Sequence, residues 1–331
     1  MRRIRNFPEG HGPSVVALGG GHGLAATLSA MRRVTDNLTA IVGVSDDGGS
    51  SGRLRQQFAV VPPGDLRMAL AALCGDDTWG RTWSRVVQHR FGGTGDLKGH
   101  SLGNLLIMSL WEETGDVVAG LDWVAALLGA QGRVLPVSLE PLEIVARVAR
   151  LDPADPLSDT LVHGQVAVAT TQGVVRHLAI DPPDPPACPE ALDAVGEADV
   201  ILLGPGSWYT SVIAPLLVPE LAASIAESPA KRVVVLNLVP QQGETTGFTP
   251  ERYISVLGEH VGGFRADAVV ADPRSVTDPR RLARVCADEL GAELVLRPVA
   301  APRGAEDVHD PDLLAGALAE ISGRGRISTW R

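Results

Sequence analysis

Short apolar runs alternate with segments of helical periodicity along most of the chain. Seven of these runs have the length and apolar content of buried strands, at residues 15–19, 38–44, 133–138, 199–203, 232–238, 267–271 and 293–297. Buried strands separated by helices are typical of parallel sheets, because each connection crosses the sheet through a helix. The pattern therefore predicts an α/β protein with a Rossmann-like, mostly parallel sheet and helices on both faces.

Two regions depart from this alternation. Residues 65–129 carry apolar positions at amphipathic spacing throughout, which predicts an inserted helical block beside the sheet. Between residues 160 and 180, two runs of alternating polarity flank Thr171-Gln172-Gly173. Alternation on both sides of a short turn is typical of paired antiparallel strands, so a small β-hairpin element is predicted here.

The same pattern predicts a single domain over residues 14–322. Its best internal boundary is at about residues 181–189, where the sequence DPPDPPACP is too rich in proline for a helix or a central strand. Residues 1–13 are expected to form a flexible N-terminal tail, and residues 323–331 a loosely held basic C-terminal tail.

Composition narrows the classes of protein. A chain of 331 residues with 45% hydrophobic content can bury a large core, while a formal net charge of −10 argues against broad binding of nucleic acid or anionic membranes. The basic start MRRIR has no long apolar segment behind it, and no run approaches the roughly 18 apolar residues of a membrane span. We therefore expect a cytoplasmic protein. Cys74, Cys188 and Cys286 lie too far apart to indicate a disulfide framework or a zinc cluster.

A glycine-rich turn, LGGGHG, follows the first predicted strand and precedes a helix-compatible stretch. Glycines let a ligand approach the backbone, and the amides at a helix start favour an anion such as phosphate. Gly20, Gly21, His22 and Gly23 are therefore candidate ligand-binding residues. The segment from Gly21 also fits the dinucleotide pattern G-x-G-x-x-A, so an NAD-dependent dehydrogenase is one alternative, and a turn that binds nothing is another.

The second predicted strand ends in an acidic turn, DDGGSSGR. Asp46 and Asp47 could hold Mg²⁺ or accept hydrogen bonds from ribose hydroxyls, and the sequence does not decide between these roles. Ser50 and Ser51 add hydroxyls to the same turn. The alternative is a solvated acidic turn without a ligand.

The helical block contributes two further groups of candidates. Asp65 precedes a helix that it can cap, and Arg67 could bind two phosphate oxygens at once. The segment GHSLGN fits the nucleophile elbow G-x-S-x-G, but a loop rather than a strand precedes it, so the hydrolase interpretation is not favoured. Ser101 is instead expected to cap a helix, and His100 to contact a ligand.

A second glycine turn, LGPGSWYTS, directly follows the predicted strand 199–203. Gly204, Gly206, Ser207 and Thr210 would offer amides and hydroxyls at another helix start, unless Ser207 merely caps that helix. Two such turns suit a ligand with two phosphates, or with a phosphate and a sugar. Asn237, after the next strand, could contact a base or a sugar.

The motifs GGGHG, DDGGSSGRLR, PPGDLR, GHSLGNLL, GPGSWYTS and QQGET, in this order, resemble the YvcK family of bacterial gluconeogenesis and cell-shape factors. That family shares its fold with CofD, the 2-phospho-L-lactate transferase. The resemblance implies a Rossmann-like core and binding of a UDP-sugar, chiefly UDP-N-acetylglucosamine. Carried onto matching positions, it implies site roles for Gly20 to Gly23, Asp46, Asp47, Asp65, Arg67, His100, Asn104, Gly206, Ser207 and Asn237.

The chain departs from the family pattern at two places. His22 stands where the family usually has threonine, and Val239-Pro240-Gln241 stands where it usually has Met-Thr-Gln. The first change removes a hydroxyl near the first turn. The second removes a hydroxyl and a backbone donor, because proline has no N–H. Both changes bear on sugar preference, whereas the two glycine turns remain.

The leading functional hypothesis is a UDP-sugar-binding regulator that directs carbon into peptidoglycan precursors and supports cell shape during gluconeogenic growth. As a regulator it would need no cofactor, and the resemblance implies glucosamine-6-phosphate synthase as a partner. The alternative is a Mg²⁺-dependent transferase similar to CofD, acting on a nucleotide diphosphate donor. The sequence leaves the oligomeric state open, including a homo-oligomer.

Overall fold

The computed structural model describes residues 12–152, 155, 158–302 and 307–323. Nearly all of the two predicted tails, residues 1–11 and 324–331, therefore lies outside the described residues. The strands are β1 (Val15–Gly19), β2 (Leu38–Val42), β3 (Arg133–Pro136), β4 (Glu143–Ala149), β5 (Asp159–His163), β6 (Val174–Asp181), β7 (Val200–Leu203), β8 (Lys231–Val235), β9 (Ala268–Ala271) and β10 (Glu293–Leu296).

Twelve α-helices are present in the described part of the chain. They are α1 (Gly21–Met31), α2 (Gly49–Phe58), α3 (Gly64–Ala72), α4 (Thr78–Gln88), α5 (Leu102–Thr114), α6 (Val117–Leu128), α7 (Gln165–Ala169), α8 (Pro189–Gly196), α9 (Pro219–Glu227), α10 (Pro250–His260), α11 (Pro279–Val285) and α12 (Pro311–Gly323). Five of them, α8 to α12, begin at a proline, whose fixed φ suits the first helical position and whose missing N–H is not needed there.

Seven strands form one parallel sheet in the order β10-β9-β8-β7-β1-β2-β3. They are the seven strands predicted from the apolar runs, so the α/β, Rossmann-like prediction is confirmed. Every residue of β1 and β7 is buried, as expected for central strands of a sheet covered by helices. Parallel crossovers are right-handed. The crossover from β1 to β2 and the crossover from β7 to β8 run in opposite directions across the sheet, so their helices cover opposite faces.

The helical block predicted at about residues 65–129 corresponds to α3, α4, α5 and α6. These helices pack on one another, and α3 also contacts β2, β3 and α1. The helical segment therefore lies between β2 and β3 along the chain and against their side of the sheet.

The small antiparallel element is present, but its pairing differs from the predicted hairpin. It has three strands in the order β5-β4-β6, so the two predicted strands flank β4 and do not pair with each other. The first predicted run also ends in helix α7. The predicted pairing of these two strands was wrong because β4, which lies earlier in the chain, is the hydrogen-bonding partner of both.

The proline-rich segment 181–189 connects β6 to α8 and contains a cis peptide bond at Asp181-Pro182. The backbone of Ala187 bridges to Ser138, and the Cys188 amide donates to the carbonyl of Val137. The segment is thus tied to the chain that follows β3.

Candidate functional site

The sheet reverses its winding direction at β1. From β1 the chain proceeds to β2 and β3 on one side, and later places β7, β8, β9 and β10 on the other side. Such a reversal opens a crevice at the carboxyl ends of the two strands that diverge, and ligands of open α/β sheets bind there. The two predicted glycine turns follow β1 and β7, so both lie at this crevice.

The two glycine turns touch each other. A Cβ atom added at Gly23 would lie 2.1 Å from the carbonyl oxygen of Pro205 and 2.5 Å from the Cα of Gly206. The Thr27 hydroxyl on α1 donates to the carbonyl oxygen of Gly204 at 2.8 Å. Helix α1 is therefore held against the second turn through its backbone, and only glycine at position 23 permits that approach.

Asp65 lies in the first turn of α3, whose N-cap is Pro63, so the prediction that it caps this helix is wrong; its carboxylate instead lies at the start of helix α1. A Cβ at Gly20 would lie 2.4 Å from the Asp65 Oδ2 atom, and the Gly21 amide donates to the Asp65 carboxylate. Burial and the neighbouring Asp46 raise the pKa of Asp65 to about 7, although the Gly21 amide and Arg67 oppose this shift. Asp65 is therefore an internal carboxyl group at the first turn, while the first-turn amides of His22 and Gly23 have no intrahelical acceptor.

Asn237 holds the second turn in shape. Its Oδ1 accepts from the Gly206 amide at 2.9 Å, and its Nδ2 donates to the Gly206 carbonyl at 2.8 Å. The Gly206 amide, predicted as a phosphate donor, is therefore engaged by a side chain. Asn237 itself positions the turn.

The Glu244 carboxylate lies at the second glycine turn, at the helix start where the sequence predicted a bound anion. The Ser207 hydroxyl donates to its Oε1 at 2.6 Å and also contacts the Thr210 hydroxyl. The amides of Trp208 and Tyr209 lower the pKa of Glu244, but burial outweighs them and raises that pKa to about 7. Its Oε2 is buried and has no hydrogen-bond partner within the described residues.

A carboxylate of the protein itself thus lies against each glycine turn, where the sequence predicted an open anion site. The sequence predicted a site role for Asp65, whereas Glu244 was not among the predicted site residues. No local signal identifies Glu244, because it reaches the second turn from a loop that begins after β8.

A buried polar network connects four of the predicted residues. Asn104 donates to the Ser50 hydroxyl at 3.0 Å and accepts from the Arg67 Nε at 2.9 Å. The Ser50 hydroxyl contacts the His100 Nδ1 at 3.0 Å, and Arg67 donates onward to Gln88 at 3.2 Å. Burial and the nearby Arg53 charge lower the pKa of His100, which favours its neutral form. The network orders α2, α3 and α5 behind the crevice.

Asn104→Ala is expected to lower the free energy of unfolding by about 1–3 kcal/mol, because it leaves the buried Arg67 Nε without its acceptor. Urea denaturation followed by circular dichroism measures the change. Ser109→Ala on the same helix, whose hydroxyl donates only to a carbonyl one turn earlier, is the control and should differ from the parent by less than about 0.5 kcal/mol. Equal stability of the two variants would contradict the role assigned to the network.

The two carboxylates of the acidic turn accept hydrogen bonds from different segments of the chain. Asp46 Oδ1 accepts from the Gly48 amide at 3.0 Å, whereas Asp47 Oδ1 accepts from the Val166 amide of α7 at 2.9 Å. In the part of the chain that the structure describes, no three His, Cys, Asp or Glu side chains form a group that could hold a metal ion. The role of Asp46 and Asp47 as a pair of Mg²⁺ ligands stays a prediction.

The remaining predicted residues lie at the edges of this arrangement. Ser51 is buried, and its hydroxyl lies 3.5 Å from the Asn104 Nδ2. His22 is exposed on the first turn of α1. Ser101 is the N-cap residue of α5, as predicted, but its side chain makes no capping hydrogen bond. Ser101 itself forms an isolated bridge with Arg90, and loop residues rather than a strand directly precede it, so the context required for a nucleophile elbow is missing.

Within the described residues, no single helix combines the length and apolar composition of a membrane span. One pair meets the criteria only jointly: the π-helix Trp208–Ile213 with the 3₁₀ helix Ala214–Leu217 that continues it, and α9, with a bend of 82° between them.

The fold and the crevice define a Rossmann-like α/β protein with two contacting glycine turns at the point where the sheet reverses. The family model described as 2-phospho-L-lactate transferase CofD matches residues 15–291. The chain therefore belongs to the CofD family, and its similarity to gluconeogenesis factors places it in the YvcK group.

Several relatives are similar over most of their length. A Mycobacterium tuberculosis protein is 50% identical over 312 residues, covering 94% of this chain and 90% of that protein. The gluconeogenesis factor of Listeria monocytogenes is 35% identical over 318 residues, covering 92% of this chain and 94% of that protein. The gluconeogenesis factor of Bacillus subtilis is 34% identical over 269 residues, covering 81% of this chain and 81% of that protein. A Bacillus halodurans crystal structure described as a member of the UPF0052 family is 30% identical, with a TM-score of 0.79 over 93% of this chain and 99% of that chain.

Proposed function

We propose that this protein is a cytoplasmic UDP-sugar-binding regulator, with UDP-N-acetylglucosamine as its ligand. The observation that carries the proposal is the contact between the two glycine turns at the carboxyl ends of β1 and β7. A pyrophosphate bound beside these contacting turns would meet the amides of the first turn of α1, and the sugar and base would extend along the crevice.

The internal carboxylates set a condition on this binding. Asp65 and Glu244 each contact backbone amides at a helix start, and anions compete for such amides. Since burial raises the pKa of both groups to about 7, part of their charge is already removed near neutral pH. The ligand therefore displaces, or shares donors with, carboxylates that are only partly ionised.

The regulatory role follows from the family resemblance. We propose that ligand occupancy changes a surface recognised by glucosamine-6-phosphate synthase, so that carbon enters peptidoglycan precursors and cell shape is maintained during gluconeogenic growth. Relatives named gluconeogenesis factor support this direction.

Isothermal titration calorimetry with UDP-N-acetylglucosamine, UDP-glucose, GDP and NADH tests the proposal. We expect the first ligand to bind most tightly, and Asn237→Ala to weaken it about tenfold or more, because the second turn loses both hydrogen bonds to Asn237. Arg284→Gln, on the exposed surface of α11, is the control and should leave the affinity unchanged. Tightest binding of NADH, or no binding of any UDP-sugar, would contradict the proposal.

The description of the matching family model favours one second candidate, a Mg²⁺-dependent CofD-like transferase. Incubation with Mg²⁺, nucleotide diphosphate donors and acceptor hydroxyls would then release a nucleoside monophosphate. Such release favours the transferase, whereas binding without release across the panel favours the regulator.

A further inference from the structure

A groove separate from the two contacting turns lies between α1 and α4, with α3 as its floor. Its volume is about 610 Å³, and its walls include His22 and Arg32 from the two ends of α1 together with Arg81 and Arg85 from α4. This volume lies within the range of pockets that bind small organic molecules and far exceeds the space that a water or a simple ion requires. The groove touches the first glycine turn only at its His22 end.

The groove is basic, although the chain as a whole has a net charge of −10. Arg81 donates to the backbone carbonyl of Asp76, and Arg85 donates to the carbonyl of Arg81 at 3.3 Å. Neither arginine forms an ion pair with any described residue. Asp76 is the single carboxylate among the described lining residues; it is paired with Arg32 and also interacts with the Arg81 charge, so the lining carries three guanidinium groups against one carboxylate.

Arg32 adds a donor that the fold does not satisfy. Its side chain is only 10% exposed, and its terminal nitrogens contact Asp76 and Gln131. Its Nε is buried and has no acceptor among the described residues. A buried donor without an acceptor is unfavourable.

The rest of the lining tells which kind of anion fits. Ala25, Met68, Ala71 and Ala72 give the groove an apolar portion between its charged walls. An inorganic anion would leave most of this volume and surface unused. A molecule with an organic body and a charged group at one end would use both parts, and guanidinium forks match the oxygens of a phosphate.

We propose that this groove binds a small phosphomonoester, with its phosphate between Arg81 and Arg85 and its organic body on the alanine-rich floor. The proposal does not depend on UDP-sugar binding, because the groove and the contacting turns share only His22. Helix α1 nevertheless forms a wall of the groove and begins at the first glycine turn.

Calorimetric titration with glucose 6-phosphate and 5′-AMP, each compared with glucose and adenosine, tests the proposal. The titrations are made with saturating UDP-N-acetylglucosamine, so that the contacting turns are not free to bind the probes. At least one phosphomonoester is expected to bind, and its unphosphorylated form to bind at least about tenfold more weakly. The double variant Arg81→Gln/Arg85→Gln should lose this binding, while Arg284→Gln should retain it.

Three results would overturn the proposal: no binding of either phosphomonoester, equal binding of the phosphorylated and unphosphorylated probes, or unchanged affinity in the double variant. Arg81 and Arg85 are exposed, so their replacement should not unfold the protein, and its denaturation midpoint checks this. Failure of UDP-sugar binding is a separate result, because the double variant should still bind UDP-N-acetylglucosamine whenever the parent does.

Discussion

Gly23→Ala is expected to lower the free energy of unfolding by about 1–3 kcal/mol and to weaken UDP-N-acetylglucosamine binding strongly. The new Cβ would lie 2.1 Å from the Pro205 oxygen and 2.5 Å from the Gly206 Cα. Both neighbours are backbone atoms, so no side-chain rotation can make room. Either α1 or the second turn must move, and the proposed pyrophosphate site is then no longer formed.

Gly316→Ala is the matched control. Gly316 also lies within a helix, but an added Cβ would meet nothing within 4 Å. Alanine there should stabilise the protein by about 0.5–1 kcal/mol, because glycine loses more backbone entropy on folding. Urea denaturation and ligand calorimetry on both variants separate the two effects. A Gly23→Ala protein that is as stable as Gly316→Ala and binds at full affinity would refute the close contact between the turns.

Glu244→Gln should flatten the pH dependence of stability. Burial raises the pKa of Glu244 from 4.5 to about 7 in the folded protein. Between these two values the unfolded chain loses the proton while the folded protein keeps it, so the stability of the parent decreases as the pH rises. The total loss of folding free energy caused by the raised pKa is about 3 kcal/mol, because each pKa unit corresponds to roughly 1.4 kcal/mol. This loss is complete above pH 7.

The measurement compares the free energy of unfolding of the parent and the variant between pH 4 and pH 8. Their difference should shift by about 3 kcal/mol in favour of glutamine across this window. Asp65 contributes a slope of the same sign to both proteins, so it cancels in the comparison. Glu113→Gln, at an exposed position on α5, should reproduce the parent curve. Parallel curves for parent and Glu244→Gln would show that the buried carboxylate does not titrate in this range.

The main sheet could be predicted from the sequence because its strands are continuous apolar runs. Strands buried on both faces need apolar residues at every position, and β1 and β7 satisfy this condition throughout. The small sheet lacks that signal. β4 alternates buried residues with Glu143, Val145 and the exposed Arg147, and the partner of each strand depends on contacts between distant segments.

The candidate site shows the same division. The glycine turns are local features, so the sequence places them correctly after β1 and β7. The polar network and the two internal carboxylates depend on pairs far apart in the chain, such as Ser207 with Glu244 and Ser50 with Asn104. Residue types at a turn indicate which donors are available, but they do not reveal whether another loop has already engaged them.

Helix α7 links loops that follow two different strands of the main sheet. Its Val166 amide is bound by Asp47, after β2, and the carbonyl of its last residue, Ala169, accepts from the Glu244 amide, after β8. The five-residue helix is thus hydrogen-bonded at each end to a different loop, and it lies in the chain between β5 and β6. The loops that follow β2 and β8 at the crevice are therefore both joined by hydrogen bonds to the chain segment that carries the three-stranded sheet.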